Sequence, residues 1–256
     1  MVDKHTYTSV WVRDAAKGAQ PRRTDRDLSR EQIVRAAIEI LDAEGLDALS
    51  MRRLGAKLNA GATSIYWHVA TKMDVLDLVL DEVLGEVEIP ERGDWILAVS
   101  VTAHSLRETL FRHPWAAALI SSRPNQGPHA VDMAERVFGI FESAGFKALD
   151  ASLALTAVVS FTVGLTVSDI TWQGMVAASG VSEEEWRRQS NEVTRQTIST
   201  RPRLRAFLDT QSHLDDETLL VMRFNFGLQC LLDGLAARLN KTARVGETGP
   251  RPSGGT

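Results

Sequence analysis

The stretch Ser50–Lys72, with the sequence SMRRLGAKLNAGATSIYWHVATK, predicts two short helices joined by a tight turn. Ser50 is a favourable N-cap for the first helix, and Leu54 and Leu58 recur one helical turn apart on one face. The turn follows at Asn59-Ala60-Gly61, in which we expect the glycine to take a positive φ angle. The rest of the chain is interpreted outward from this helix-turn-helix pattern.

The second helix of the stretch is too short to bury all of its large side chains. It starts near Thr63-Ser64, and Ile65 and Val69, four residues apart, are the natural inner pair. Tyr66, Trp67 and His68 are then directed toward solvent. Exposed aromatic rings among basic residues are typical of a helix that binds in a DNA major groove. The alternative is an ordinary helical hairpin with an exposed aromatic rim.

Residues 28–85 resemble the DNA-binding domain of the tetracycline-repressor (TetR) family, and IYWHVATK is very similar to the end of that family's recognition helix. The resemblance implies that bases and phosphates of double-stranded operator DNA are contacted from this stretch. The residues implied to lie nearest base edges are Arg52, Thr63 and Ser64, and those implied to mix phosphate and thymine-methyl contacts are Tyr66, Trp67, His68 and Lys72.

The charge of the chain is unevenly distributed. Residues 1–72 hold 12 Lys and Arg against 9 Asp and Glu, a balance of +3, whereas the remaining residues hold 17 against 24, a balance of −7, in a chain of net charge −4. A basic N-terminal part and an acidic remainder favour binding of the N-terminal part to a polyanion. The composition, with 44% hydrophobic residues, is that of a soluble globular protein.

The single cysteine, Cys230, excludes an intramolecular disulfide and a cysteine-clustered metal site. Because it lies in an apolar helical pattern, we expect a buried structural thiol rather than a redox sensor. The first ten residues lack the apolar core of a signal peptide, so we expect a cytoplasmic protein.

The predicted organisation has four parts and no strand, which gives an all-α fold of nine or ten helices. Residues 1–28 are expected to form a flexible basic arm, with Arg22, Arg23 and Arg26 nearest the first folded domain, either contacting DNA or remaining a solvated tail. Residues 29–90 form the helix-turn-helix domain, 91–240 a larger ligand-binding and dimerisation domain, and 241–256 a disordered tail.

Residues 151–168, ASLALTAVVSFTVGLTVS, carry no charge. Their length permits a membrane span, but polar side chains at Ser152, Thr156, Ser160, Thr162 and Thr166 and the lack of basic flanks favour a helix buried on all sides. Burial on all sides requires a partner beyond one neighbouring helix.

Residues 94–170 and 224–236 resemble the C-terminal domain of the tetracycline-repressor subgroup, notably at SRP (122–124), AGF (144–146) and FTVGLTV (161–167). The resemblance implies a homodimer in which helices 150–172 and 217–239 of two subunits form a four-helix bundle. It also implies a small-molecule effector whose binding releases the DNA.

In the tetracycline repressor the drug binds as a magnesium chelate held partly by a histidine and a glutamate, and the aligned places here hold Leu119 and Ser168. Neither side chain is a useful metal ligand, so we expect a metal-free, largely apolar effector and no cofactor. The candidate lining residues are Thr102, Leu106, Leu119, Ser122, Val137, Phe138, Phe141, Leu155 and Trp172. His104 and His113 are possible polar contacts, although a lone histidine is more often structural.

An enzyme is the rival class, and the sequence gives it little support. It has no Gly-rich phosphate loop, no HExxH and no GxSxG motif, and its histidines and cysteine form no recognisable nucleophile pair. Two further alternatives keep the same fold: a constitutive DNA-binding regulator, and an interaction protein without operator binding or a small-molecule inducer.

Overall fold

The computed structural model describes residues 9–17, 28–211 and 214–247, and every regular element in these ranges is helical. The all-α prediction is confirmed, with twelve α-helices in the described ranges rather than nine or ten. Their bounds are α1 Val10–Lys17, α2 Arg30–Glu44, α3 Met51–Lys57, α4 Ala62–His68, α5 Lys72–Leu84, α6 Trp95–Arg112, α7 Pro114–Ile120, α8 Pro128–Ser143, α9 Ala148–Ala178, α10 Glu183–Thr197, α11 Pro202–Gln211 and α12 Asp216–Glu247.

The chain divides into two compact units, one extending to Ala144 and the other beginning at Gly145. The boundary predicted near residue 90 lies inside the first unit, so the division of binding functions at that point stays a prediction. Helices α1 to α8 belong to the first unit, and α9 to α12 belong to the second.

Local capping sets the ends of the helices in and before the helix-turn-helix pattern. Ser29 and Gln32 form a reciprocal capping box at the start of α2, and Gly45 ends this helix with φ 77°. Ser50 accepts a hydrogen bond from the Arg53 backbone N–H at the start of α3.

The turn between α3 and α4 differs from the prediction in one respect. Asn59, not Gly61, takes the positive φ angle, at 49°, while Gly61 is extended with φ −65°. The backbone N–H of Ala60 donates to Gly55 O and that of Asn59 to Ala56 O, so α3 ends in a Schellman motif with asparagine in the left-handed position. Helix α4 then begins at Ala62, with Gly61 rather than a hydroxyl residue as its N-cap.

The expectation of an irregular arm is wrong for residues 10–17, which form helix α1. Val10 is buried, and ion pairs join Arg13 to Asp74 and Asp14 to Arg30, at 2.6 Å for the second pair. These partners lie far away in the sequence, so the position of this helix against α2 and α5 cannot be inferred from its own residues. The arginines predicted nearest the folded domain, Arg22, Arg23 and Arg26, lie outside the described residues.

Helix α5 is the central helix of the first unit. Its buried residues include Leu76, Val79, Leu80 and Val83, and it contacts α1, α2, α6, α7 and α8. A break at His113-Pro114 separates α6 from α7, because proline lacks the N–H that would continue the helix.

In the second unit, α9 and α12 pack closely where a glycine leaves room for a ring. The rings of Phe161 and Phe224 are 5.6 Å apart, and a Cβ added at Gly227 would lie 2.5 Å from the Phe161 ring. This close approach occurs within one chain. At Gly234 an added Cβ would meet no atom within 4 Å.

Two predictions about α12 are wrong for this chain. The helix continues to Glu247, past the predicted boundary at residue 240. Residues 248–256 of the predicted tail lie outside the described residues. Cys230 is exposed rather than buried, because α9 covers the opposite face of α12, where Phe224 and Leu228 are buried.

The uncharged part of α9 is not covered on all sides by its own chain. Within this part Leu153, Thr156 and Ser160 are exposed, whereas Ala154, Val158 and other residues of the opposite face are buried. Both α9 and α12 are long and apolar enough to cross a membrane by length and composition. Their charged pair, Asp169 with Arg223 at 3.1 Å, joins the two helices to each other.

We expect Gly227→Ala to destabilise the protein by about 1–3 kcal/mol, because the new methyl group would overlap the Phe161 ring. The matched control is Gly139→Ala in the interior of α8, where an added Cβ has open space. That change should raise stability by about 0.5–1 kcal/mol. Urea unfolding at equal protomer concentration measures both changes, and equal stability of the two variants would contradict the proposed packing constraint.

Candidate DNA-binding surface and effector region

Helix α4 has a buried inner side and an exposed aromatic outer side. Ile65 and Val69 are 0% and 2% exposed, whereas Tyr66 and Trp67 are 50% and 85% exposed. The prediction that Ile65 and Val69 form the inner pair is confirmed. A large ring with most of its surface in water is an unfavourable arrangement for an isolated protein, which points to a binding surface.

Two ion pairs hold α3 against α2. Arg53 pairs with Glu44, and Lys57 Nζ lies 2.7 Å from Glu39 Oε2. Arg52, the neighbour of Arg53, is exposed and has no ion pair among the described residues. The guanidinium of Arg52 is therefore available to an outside partner, as the sequence analysis expects.

The other predicted DNA contacts also lie at or near the outer side of α4. Thr63 and Ser64 are exposed in its first turn, and His68 is half-buried at its end. Lys72 is half-buried, with Nζ 3.4 Å from the backbone oxygen of Leu46. These residues therefore lie in one region of the surface. Their contact with DNA stays a prediction.

The link between α4 and α5 is fixed by a single carboxylate. The Oδ2 atom of Asp74 accepts hydrogen bonds of 3.0 Å from the backbone N–H groups of both Ala70 and Thr71. Thr71 in turn caps α5 by accepting from the Asp74 backbone N–H. The orientation of the exposed helix α4 therefore depends on the first turn of α5.

A polar cluster around the buried side chains of His113 and Trp115 joins the corner between α6 and α7 to the exposed carboxylate of Asp42 in α2. His113 Nδ1 lies 2.7 Å from Asp42 Oδ1, which also accepts a 2.6 Å hydrogen bond from the indole N–H of Trp115. His113 Nε2 lies 3.3 Å from Glu86 Oε2, just beyond α5. His113 therefore has a structural role, as does His104, whose Nδ1 lies 2.8 Å from the Ser100 carbonyl oxygen.

Sequence reasoning missed the role of Arg123 in the SRP motif. Its guanidinium forms a buried ion pair with Asp77 at 2.5 Å and donates to the Met73 carbonyl oxygen at 3.2 Å. The loop after α7 is thus bonded to the first half of α5. An arginine in a Pro-containing loop suggests a solvated charge, so only the packing of α5 against this loop identifies it.

The nine predicted effector-lining residues differ in accessibility. Five of them, all in the first unit, are buried: Thr102, Leu106, Leu119, Val137 and Phe141. Ser122 is exposed, with its hydroxyl donating to the backbone oxygens of Ala118 and Leu119, while Phe138 is half-buried. In the second unit Leu155 is half-buried, and Trp172 is exposed on one side and contacts Trp186 at a ring distance of 6.2 Å.

Two family sequence profiles match consecutive parts of the chain. Residues 33–79 match the bacterial regulatory proteins of the tetR family, and residues 89–239 match the tetracyclin repressor-like C-terminal domain. The second match alone covers more than half of the 256 residues.

The chain belongs to the TetR family.

Curated relatives of this TetR-family chain are transcriptional regulators. An HTH-type transcriptional regulator of Saccharopolyspora erythraea is 43% identical over 64% of this chain and 69% of its own length. The HTH-type transcriptional repressor DrrR1 of Streptomyces coeruleorubidus is 33% identical over 91% of this chain and 86% of its own length.

Solved structures similar to this chain include a complex with a small molecule and a complex with operator DNA. ActR of Streptomyces coelicolor, bound to actinorhodin, has a TM-score of 0.70 at 31% identity and covers 83% of this chain and 98% of its own. BioQ of Mycobacterium smegmatis, solved with its double-stranded DNA operator, has a TM-score of 0.56 at 26% identity, covering 82% and 99%.

The TetR-family assignment identifies the helix-turn-helix pattern as that of a DNA-binding transcriptional regulator, with α3 and α4 as the two helices of the motif. The family and its named relatives are regulators rather than enzymes. Members of the family bind operator DNA and small molecules, as the BioQ and ActR complexes illustrate.

We expect Arg52→Ala to weaken operator binding by about 1–3 kcal/mol and to relax specificity at one base pair of each half-site. Lys72→Ala should instead weaken binding to all sequences alike and reduce the slope of log affinity against log salt by about 0.9 per lost phosphate contact. Titrations of operator and random DNA at several salt concentrations measure both effects.

Arg53→Ala is the control for Arg52→Ala, because the Arg53 side chain is paired with Glu44. It removes the same charge from the adjacent position, and specificity should be preserved. Normal operator binding by both Arg52→Ala and Lys72→Ala would exclude these residues from the DNA surface.

Proposed function

We propose that this TetR-family protein is a ligand-responsive repressor that binds a palindromic operator as a homodimer. A small, largely apolar molecule, bound without a metal ion, releases it from the DNA. The observation that carries the proposal is the exposure of Tyr66 and Trp67 on a recognition helix whose inner residues are fully buried. Rings exposed in this way gain a partner when the helix binds in a major groove.

The homodimer is supported by apolar side chains that the single chain leaves in water. On α9 these include Leu149 and Leu153, and on α12 they include Val221, Met222 and Phe226, the last of which is 73% exposed. A second copy that packs its own α9 and α12 against these residues would form a four-helix bundle. Two recognition helices bind one face of B-DNA when they are about 34–36 Å apart.

The chemistry of the effector is argued from the side chains of the predicted site. Leu119 is buried and Ser168 is an exposed alcohol, so the two places that hold metal ligands in the tetracycline repressor offer none here. Leu106, Val137 and Phe141 add buried apolar surface. The relative ActR, at 31% identity, has been solved in complex with actinorhodin, which favours a small-molecule effector for this chain as well.

The proposed signal begins in the first unit, at the corner between α6 and α7. Arg112 and His113 at this corner both contact Glu86, two residues beyond the end of α5. Pro114 allows the chain to bend here at little cost, since it has no backbone N–H to donate. A shift of α6 and α7 on effector binding would therefore displace α5, and with it the attached recognition helix.

A cytoplasmic location is part of the proposal, because operator binding requires access to the chromosome. The competing function is a constitutive DNA-binding regulator, or an interaction protein, with the same fold and no inducer. Operator affinity measured with and without effector distinguishes the repressor from these alternatives. An effector that favours one arrangement of the recognition helices must change operator affinity.

We expect Phe226→Glu to convert the dimer into folded monomers, because it places charges on the exposed apolar face of α12. The matched variant Phe224→Glu places the same charge at a side chain that is 1% exposed and in contact with Phe161, so it should unfold the second unit instead. Sedimentation at micromolar concentration, with circular dichroism, measures both. A wild-type protein that sediments as a monomer would refute the dimer.

We expect an effector to lower operator affinity by about 5- to 150-fold, a coupling of about 1–3 kcal/mol, and operator DNA to lower effector affinity by the same factor. Actinorhodin is the first probe, and tetracycline with Mg²⁺ is the control that should leave operator binding unchanged. Calorimetric titration of free and operator-bound protein measures the two factors. Equal effector affinity in both titrations would leave the constitutive regulator as the function.

A further inference from the structure

Three aspartates of α5 are buried in the first unit, and each has a partner from a different element. Asp81 accepts the backbone N–H groups of His129 and Ala130 in the first turn of α8, at 3.3 and 3.0 Å. Asp77 pairs with Arg123. A buried carboxylate is tolerated only when it is paired and hydrogen-bonded, so these partners fix α5 in place.

The third aspartate, Asp74, receives its charged partner from helix α1. The guanidinium of Arg13 contacts Oδ1 of Asp74, and Oδ2 accepts the N–H groups of Ala70 and Thr71 in the link that follows the recognition helix. Asp74 is 1% exposed, so its charge is compensated by Arg13 and by backbone donors rather than by water. Arg13 therefore acts on the joint between α4 and α5 through Asp74.

Helix α1 is itself held at two further points. Near its start, Ser9 is buried and its hydroxyl donates to Asp77 at 3.4 Å, and Val10 is buried. Near its other end, Asp14 pairs with Arg30 at the first residue of α2. The helix thus connects the beginning of the DNA-binding region to the helix that follows the recognition helix.

Helix α1 lies outside both family matches, which begin at residues 33 and 89. The two matched regions therefore assign it no role. We propose that α1 is a positioning element for the recognition helix, and that Arg13 is a positioning residue that raises operator affinity through Asp74 without binding DNA itself. The part of this inference that concerns operator affinity rests on the proposed function.

The first test is hydrogen exchange of the free, full-length protein, which requires no DNA. In Arg13→Ala we expect the amides of Ala70 and Thr71 to exchange about tenfold faster or more, because the carboxylate that binds them loses its charged partner. The amides of His129 and Ala130, bound by Asp81 on the same helix, are the internal control and should keep their rates. Unchanged rates at Ala70 and Thr71, or an equal increase at both sites, would overturn the proposal.

The second test is operator binding as a function of salt. Arg13→Ala should lower operator affinity about fivefold or more with an unchanged salt slope, because a residue that binds no phosphate releases no counterion. A slope reduced by about 0.9 would make Arg13 a DNA contact and reject the positioning role. Arg13→Lys, which retains a charge for Asp74, should recover part of the affinity.

Two variants control for charge loss and for misfolding. Arg92→Ala removes the same charge from an exposed loop beyond the other end of α5 and should bind operator as the wild type does. In the double variant Arg13→Ala/Asp74→Asn the amide oxygen still accepts from Ala70 and Thr71, and no buried charge is left uncompensated. Because this variant keeps the bonds that orient the joint, it should recover most of the operator affinity that Arg13→Ala loses, and an affinity as low as that of Arg13→Ala would reject an action through Asp74.

The hydrogen-exchange test and the operator-binding test distinguish a failure of the positioning role from a failure of the proposed repressor function. If the wild type selected no fragment from genomic DNA, the repressor function would be rejected. The exchange rates of Ala70 and Thr71 would still decide whether Arg13 controls the joint between α4 and α5.

Discussion

The buried carboxylates of Asp74, Asp77 and Asp81 set the arrangement of the first unit. They lie along one helix, α5, at spacings of three and four residues, so they share one face of it. A charge removed from water is stable only beside an opposite charge or several hydrogen-bond donors. Helix α1, the loop after α7 and the start of α8 therefore have to lie where they supply those partners.

The recognition helix depends on this arrangement because it has almost no core of its own. Helix α4 is seven residues long and buries Ile65 and Val69, while its outer rings remain in water. Its direction is set by α5, through the amides bound to Asp74. The second unit is built differently, from two long helices packed through aromatic rings, with further apolar side chains exposed along them. We propose that polar contacts orient the DNA-binding surface and that apolar surface supports assembly.

The sequence by itself determined the features that neighbouring residues control. Helix caps and breaks involve partners within a few residues, so they can be predicted from the sequence. Examples are the caps at Ser29, Ser50 and Thr71 and the break at Pro114. The inner and outer sides of α4 follow from helical geometry alone, which is why the exposure of Trp67 was predictable. The composition of 151–168 likewise indicated a helix that needs partners.

Only the tertiary structure decided the features whose partners are far away in the sequence. Ion pairs of Arg13 and Asp14 with α5 and α2 decide where residues 10–17 pack, and the buried side chain of Arg123 pairs with Asp77, which lies 46 positions earlier. The exposed position of Cys230 depends on which face of α12 is covered by α9. Periodicity in the sequence identifies an apolar face of a helix. Tertiary packing decides which face a neighbouring element covers, and it also decides which group pairs with a buried charge.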